Sequence, residues 1–296
     1  MAPRIFCRDL CLESGEPAAG LGASPISYVL LHWPRGSWRV PRIRSHLMPE
    51  TLGKAILAAN ASGIHVALVD GDEIGFTHEG FIRRSVTPQE AEELLRHLAV
   101  GGSLEGERDE RMIVVCCTDG KQDPCCARYG FSTWRALRQA ADPTRFRILQ
   151  STHLGGCRFA ASLVVLPQRA RYSRLEPTQV GDFLACLERA SPYLPAYRGN
   201  PALAPPRQAA ELAVLLWAAR SGISGDVRLG DADEADLIAG RLKFAASVGG
   251  HFVRAIVERV EFFTHTRCET AGKDGGQARV TRWVATSILA GERGTE

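Results

Sequence analysis

No apolar run in the 296-residue chain approaches the ~18 to 20 residues needed to cross a bilayer, so no membrane partner is expected. The opening segment, MAPRIFCRDLCLESGE, lacks the apolar core of a secretory signal, and the expected compartment is the cytoplasm. Lysine is scarce: four of the 36 basic residues, at 54, 121, 243 and 273, the rest being arginine. The net charge is only +3 and the basic residues form no block, which excludes a general nucleic-acid binder. Neither a Gly-x-Gly-x-x-Gly loop nor a Gly-x4-Gly-Lys-Ser/Thr loop occurs, so nothing points to a nucleotide. With 45% apolar and 23% charged residues the composition is that of a folded globular protein, not a coiled coil, a collagen or a disordered chain.

The patterns that are present alternate between strand and helix. SYVLLH (27–32) predicts a buried strand ended by the WPRG turn, 49–63 a helix stopped at Gly63, and IHVALVD (64–70) a second buried strand. Short strands follow over 75–81 and 82–86. Thr87-Pro88-Gln89-Glu90 then has a capping residue, a proline at the first helical position and Glu three residues on, opening a helix that runs to Val100. A Gly-rich, acidic loop at 101–110 interrupts the series. The same order then recurs: strand 112–117, helix 125–141, strand 146–152, a hairpin over 162–167 and 170–175, and a helix 177–190. The expectation is an α/β protein built on a duplicated βαβ-ββα unit, thioredoxin-like in outline. Its divisions are an N-terminal half (1–105), a second half (106–195), and a smaller C-terminal α+β region (196–296). That region starts in a Pro-rich strap (192–207) and holds a helix at 208–221 and an antiparallel pair of strands at 251–263 and 279–288.

Nine cysteines in a chain of this kind point to metal ligands, reactive thiols or small buried residues more than to disulfides. Five of them, at 116, 117, 125, 126 and 157, fall within 42 residues together with His153. If strands 112–117 and 146–152 flank helix 125–141 as a right-handed crossover, their loops leave the same carboxyl edge, and Cys117 and His153 face one site. The helix also starts at that edge, where its dipole favours thiolate. Gly155-Gly156 lets the backbone turn tightly there. Two cysteines with eight residues between them, plus a His and a Cys with three between them, supply four soft or borderline donors, enough for one metal ion or one iron–sulfur cluster. Structural zinc knuckles space their cysteines two to four residues apart, which the longer spacer does not match, whereas a [2Fe–2S] cluster tolerates it.

CTDGKQDPCC (117–126) followed by STHLGGCRFAASLVVLP (151–167) resembles the paired signature of the sucrase/ferredoxin-like family, the thioredoxin-like ferredoxins. There a CTHG-(K/R)-R-D-x-CC segment precedes HLGGHRFA. The likeness is close over 116–176 and weaker at GEPAAGLG (15–22). It implies a [2Fe–2S] cluster and one-electron transfer or redox sensing, with a reductase or acceptor protein as partner. Cys117 and Cys126 match the two cysteine ligands and His153 the first histidine ligand. Cys157 stands where the family commonly has a second histidine, giving a three-Cys, one-His set. Asp119 and Gln122 also depart from the family's His and Arg. Nothing in the chain looks like a glycosidase site, and an electron carrier is expected rather than a catalyst.

Cys116 with Cys125 has the same spacing as Cys117 with Cys126, so only the family pattern chooses between the pairs. Adjacent strand residues face opposite ways, and Cys116 is assigned to packing. Cys125 remains an alternative ligand or exchange thiol. Cys7 and Cys11 lie in a terminus expected to be mobile, with a partner interaction or an accessory ligand as the lesser alternative, and Cys186 and Cys268 are expected to be structural or incidental. Lys121 and Arg158 flank the site. The competing functions are a thiol-disulfide oxidoreductase, which lacks its usual Cys-x-x-Cys, and a zinc-stabilised binding module.

Overall fold

A computed structural model describes residues 4–232 and 240–290. In chain order the elements are α1 (Cys7–Glu13), β1 (Ser27–His32), α2 (Glu50–Ala61), β2 (Ile64–Val69), β3 (Gly75–His78), β4 (Phe81–Arg83), α3 (Pro88–Ala99) and β5 (Glu107–Arg108). Then come β6 (Met112–Cys117), α4 (Phe131–Ala140), β7 (Phe146–Ser151), β8 (Leu163–Leu166), β9 (Ala170–Tyr172) and α5 (Val180–Glu188). The chain continues with α6 (Pro205–Arg220), β10 (Arg228–Ala232), β11 (Arg241–Val248), β12 (His251–Thr264) and β13 (Ala278–Ala290).

Nine strands form one mixed sheet in the order β5-β4-β3-β1-β2-β7-β6-β8-β9. The duplication is visible in that order. In each half the first two strands pair in parallel, β1 with β2 and β6 with β7, as a helical crossover demands. The third strand then returns antiparallel on the other side of the first, β3 on β1 and β8 on β6. Numbered within its own half, each repeat has strand order 4-3-1-2, the thioredoxin-like arrangement. The repeats meet where the tips of β2 and β7 pair antiparallel at Val69 and Ser151. The Thr152 N–H donates to the Leu68 carbonyl at 2.9 Å, and the Leu68 N–H donates to Thr152 Oγ1 at 3.0 Å. Two strands that touch only at their carboxyl tips bring the carboxyl edges of both repeats to one seam.

The strands are buried on both faces, which is why they read as continuous apolar runs. Helices α2 and α3 cover the first repeat through Leu52, Ile56, Ala91 and Leu95. The capping box at Thr87 forms as its sequence predicts, with Glu90 reaching back to the Thr87 N–H at 2.7 Å. Trp33 and Trp38 pack in the same core.

By compactness the chain falls into two units, Ser24–Arg169 with Arg174–Leu184, and Met1–Ala23 with Ala170–Ser173 and Ala185–Glu296. The first holds both parallel strand pairs. In the second, α6 lies on a four-stranded antiparallel sheet in the order β10-β11-β12-β13, packing Ala210 and Val214 against Phe244, Val253 and Ala255. The expected pair of long strands is present as β12 and β13, but β10 and β11 extend it. The amino terminus also departs from expectation: it forms α1, and Cys7 and Cys11 have no exposed surface. The four-residue spacing puts both on one face of the helix, which is the buried one. The loop expected at 101–110 contains β5, which pairs with β4 through Ile82 and Glu107.

Candidate metal centre

Strands β6 and β7 run side by side in register from Met112–Phe146 to Cys117–Ser151, so the segments that follow them start at one edge. After β6 the chain turns through Thr118–Asp123, and the Asp119 carboxylate fixes the turn by accepting the Gln122 N–H at 3.2 Å. The same carboxylate accepts the backbone N–H of His153, tying the two loops together. Asp123 Oδ1 takes the Cys125 N–H at 2.9 Å and starts the helix. The helix expected over 125–141 is not uniform. Its first turn, Cys126–Gly130, is π-helical, and α4 begins only at Phe131. Such single π turns recur at functional sites because they re-aim side chains without ending the helix. Gly130 is required at the close of this turn, since a Cβ there would lie 2.0 Å from the Cys117 carbonyl oxygen. After β7, Gly155 and Gly156 adopt φ of 94° and 77°, the left-handed region, and bend Cys157 back toward β6.

These segments bring the four expected residues together in a closed ring. Cys157 Sγ lies 3.5 Å from His153 Nδ1. Cys117 is within hydrogen-bond reach of both Cys126 and His153, and Cys126 of both Cys117 and Cys157. Cys117, Cys126 and Cys157 are 2%, 1% and 6% exposed, while His153 is the partly exposed member. Tyr28, Val115, Leu154 and Val164 belong to the same apolar cluster. Cys116 points the other way, its thiol 3.4 Å from the Gly130 carbonyl, as assigned. Cys125 is fully buried and is not a member of the ring.

The ring separates charge. The Cys126 thiol hydrogen-bonds to Cys117 and holds it well below the ordinary thiol range against the opposing effect of burial, and His153 adds to this. Cys157 is lowered to about 6, first by Cys126 and then by His153 in opposition to burial. Burial alone would depress His153, but its hydrogen bonds to Cys117 and Cys157 and their charges outweigh it and raise it to about 10. Burial, followed by the charge of Cys117, raises the Asp119 carboxyl.

One contribution was not legible in the motif, and one residue within the motif reaches across to the first repeat. Arg42, in the loop after β1, donates to the His153 carbonyl at 3.5 Å and to Asn60 Oδ1 at 3.4 Å. Lys121 donates to the Trp38 carbonyl from the other side. The first repeat thus covers the site of the second, and no local spacing announces a residue 111 positions away. Arg158, expected to flank the site, lies over the Phe159 ring, 4.6 Å from its centroid.

The chain belongs to the sucrase/ferredoxin-like family, whose family model matches residues 39–199. The match runs from the loop after β1 through the rest of the first repeat and the whole of the second, and it includes all four ring residues. A search of curated proteins gives no match. Among solved structures, a thioredoxin-like [2Fe–2S] ferredoxin from Aquifex aeolicus is similar at 18% identity and a TM-score of 0.29, over 32% of this chain and 98% of that one. A wild-type structure of the Aquifex aeolicus thioredoxin-like ferredoxin aligns at 20% identity and a TM-score of 0.27, over 30% and 96%. The thioredoxin-like description of this chain rests on its own strand order and connections. Among the described residues no helix is long and apolar enough to cross a membrane.

Proposed function

We propose that this protein is a one-electron carrier whose [2Fe–2S] cluster is held by Cys117, Cys126, His153 and Cys157. The observation that carries the reading is the ring itself: three thiols and one imidazole, gathered from two loops at one sheet edge. The donor set fits the group. All four atoms are soft or borderline donors, and the nearby Asp119 carboxylate is engaged with backbone N–H groups. When bound, the cluster supplies a reversible one-electron couple.

The remaining work falls to the chain. Cys117 and Cys157 are poised as thiolates, so less proton release accompanies loading than from ordinary thiols. The Asp119 backbone N–H donates to the Cys117 sulfur and draws electron density from it, which favours the reduced state. One imidazole among three thiolates sets a potential above an all-cysteine site and below a two-histidine site. His153, the partly exposed member, is the route for the electron to a reductase or acceptor protein.

The test is iron, acid-labile sulfide and zinc per chain, on protein purified without oxygen. About two irons and two sulfides are expected. Zinc without sulfide would replace the carrier with a structural metal module, and no metal after reconstitution would leave thiol-disulfide exchange as the function. Repeated reduction by a reductase and reoxidation without loss of iron favours a carrier over an oxidant sensor.

A further inference from the structure

A second pair of sulfurs lies outside this site, wholly within the second compact unit. Cys268, in the loop between β12 and β13, has its Sγ 3.7 Å from Cys7 Sγ at the start of α1. We propose that Cys7 and Cys268 form an oxidative cross-link when the protein meets a low-molecular-weight disulfide, pinning the amino-terminal helix to the β12–β13 loop. The inference is independent of the cluster, because neither residue belongs to the ring.

Three observations carry it. The first is the sulfur–sulfur approach across 261 positions of sequence, in which the Cys7 backbone N–H also donates to Cys268 Sγ at 3.5 Å. An N–H aimed at sulfur favours the thiolate, the form that attacks disulfides. The second is the difference in access: Cys268 is partly exposed and Cys7 has no exposed surface. A soluble disulfide therefore reaches Cys268 first and Cys7 only afterwards. The third is that the segment is already held in place. Glu16, fully buried, pairs with Arg282 of β13 at 2.6 Å and accepts from the Cys11 thiol at 3.3 Å. Gly272, at φ 72°, also brings the loop so close to Ile5 that a Cβ would lie 2.9 Å from its side chain. The contacts fix the two sulfurs near each other before any bond forms, so little further ordering is needed to join them.

The chemistry balances with oxidised glutathione as the reagent. The Cys268 thiolate attacks one sulfur of the reagent, forming a mixed disulfide and releasing one glutathione thiolate. The Cys7 proton passes to the glutathione thiolate released in the first step, and the Cys7 sulfur attacks the Cys268 sulfur, forming the Cys7–Cys268 bond and releasing the second glutathione thiolate. The protein loses two electrons and the reagent gains them.

The experiment treats the full chain with oxidised glutathione, alkylates the remaining thiols, digests with trypsin and maps the peptides by mass. Cys7 falls in peptide 5–8 (IFCR) and Cys268 in peptide 268–273 (CETAGK), and these two are expected as one linked species. Cys7→Ser should strand glutathione on Cys268, and Cys268→Ser should leave Cys7 unmodified. A glutathione adduct that persists on wild-type Cys268, a link from Cys268 to any other cysteine, or unmodified Cys7 and Cys268 at excess reagent would each overturn the proposal. The wild-type map alone decides it if a variant does not fold, and iron content measured in parallel keeps the result separate from the cluster.

Discussion

At the end of β6 the chain places a thiol, Cys117, and at the matching end of β1 an imidazole, His32. The two residues occupy equivalent positions in like repeats and live in opposite environments. Burial, then the charges of Arg147 and Arg84, pull His32 from 6.5 down to about 4, while its Nε2 stays 2.9 Å from Thr77 Oγ1. A depressed imidazole means that the unfolded chain binds the proton more readily than the folded one. Stability is therefore insensitive to this group above pH 6.5 and declines as pH falls toward 4, by about 2 kcal/mol at pH 5. His32→Gln should lose that part of the slope in urea unfolding at pH 7 and pH 5; an unchanged slope would remove His32 from the account. At the candidate centre, His153→Cys should keep iron and sulfide and lower the midpoint potential by on the order of 100 mV, read by anaerobic redox titration. The choice of Cys117 and Cys126 over their neighbours was open from spacing alone. The alternation of a strand explains why Cys116 faces α4, but only the folded loop shows that Asp119 joins the two halves of the ring.

Among the elements, the segment from the π turn into α4 is the most demanding. Gly130→Ala adds a favoured helix former, worth up to ~1 kcal/mol in an open helix. Here its methyl group meets the Cys117 carbonyl, so the expectation is net destabilisation of about 2 kcal/mol or more and loss of bound iron, although all four donors remain. Gly181 in α5 is the control. A Cβ there meets nothing within 4 Å, and Gly181→Ala should stabilise by roughly 0.5–1 kcal/mol with iron content unchanged. Thermal unfolding and iron assays on both variants check the pair. Elements with a strong local signal were legible in the sequence: β1, β2, β6 and β7 as apolar runs, α3 by its capping box. The π turn was not, because its sequence is that of an ordinary helix start. Nor was β11, where Leu242, Phe244, Ala246 and Val248 alternate inward, but alanine is a weak strand former and blurs the pattern. Helix α1 is seven residues long and gains its order from burial, which local sequence does not express.

For the whole molecule, the decisive feature is the seam between repeats. Only Val69 and Ser151 pair as strand residues there, and the Thr152 hydroxyl completes the ladder by accepting the Leu68 N–H. Thr152→Val keeps the shape and leaves that buried N–H without its acceptor, so a loss of about 1–3 kcal/mol is expected in denaturant unfolding. A loss under ~0.5 kcal/mol would mean that the seam does not depend on this bond. The duplication could be read from the recurring order of elements, whereas the meeting of the carboxyl edges could not, since no local spacing or periodicity in either repeat announces which edges adjoin.

That seam also governs how the candidate centre responds to dilution. The loop that touches the His153 carbonyl through Arg42 belongs to the same polypeptide as the residues it covers. Were the two repeats separate chains, the cover would dissociate as concentration fell, and the retention of a bound group would fall with it. Joined in one chain, the cover stays at a fixed local concentration set by the intervening segment, and the site is equally shielded at nanomolar and millimolar protein.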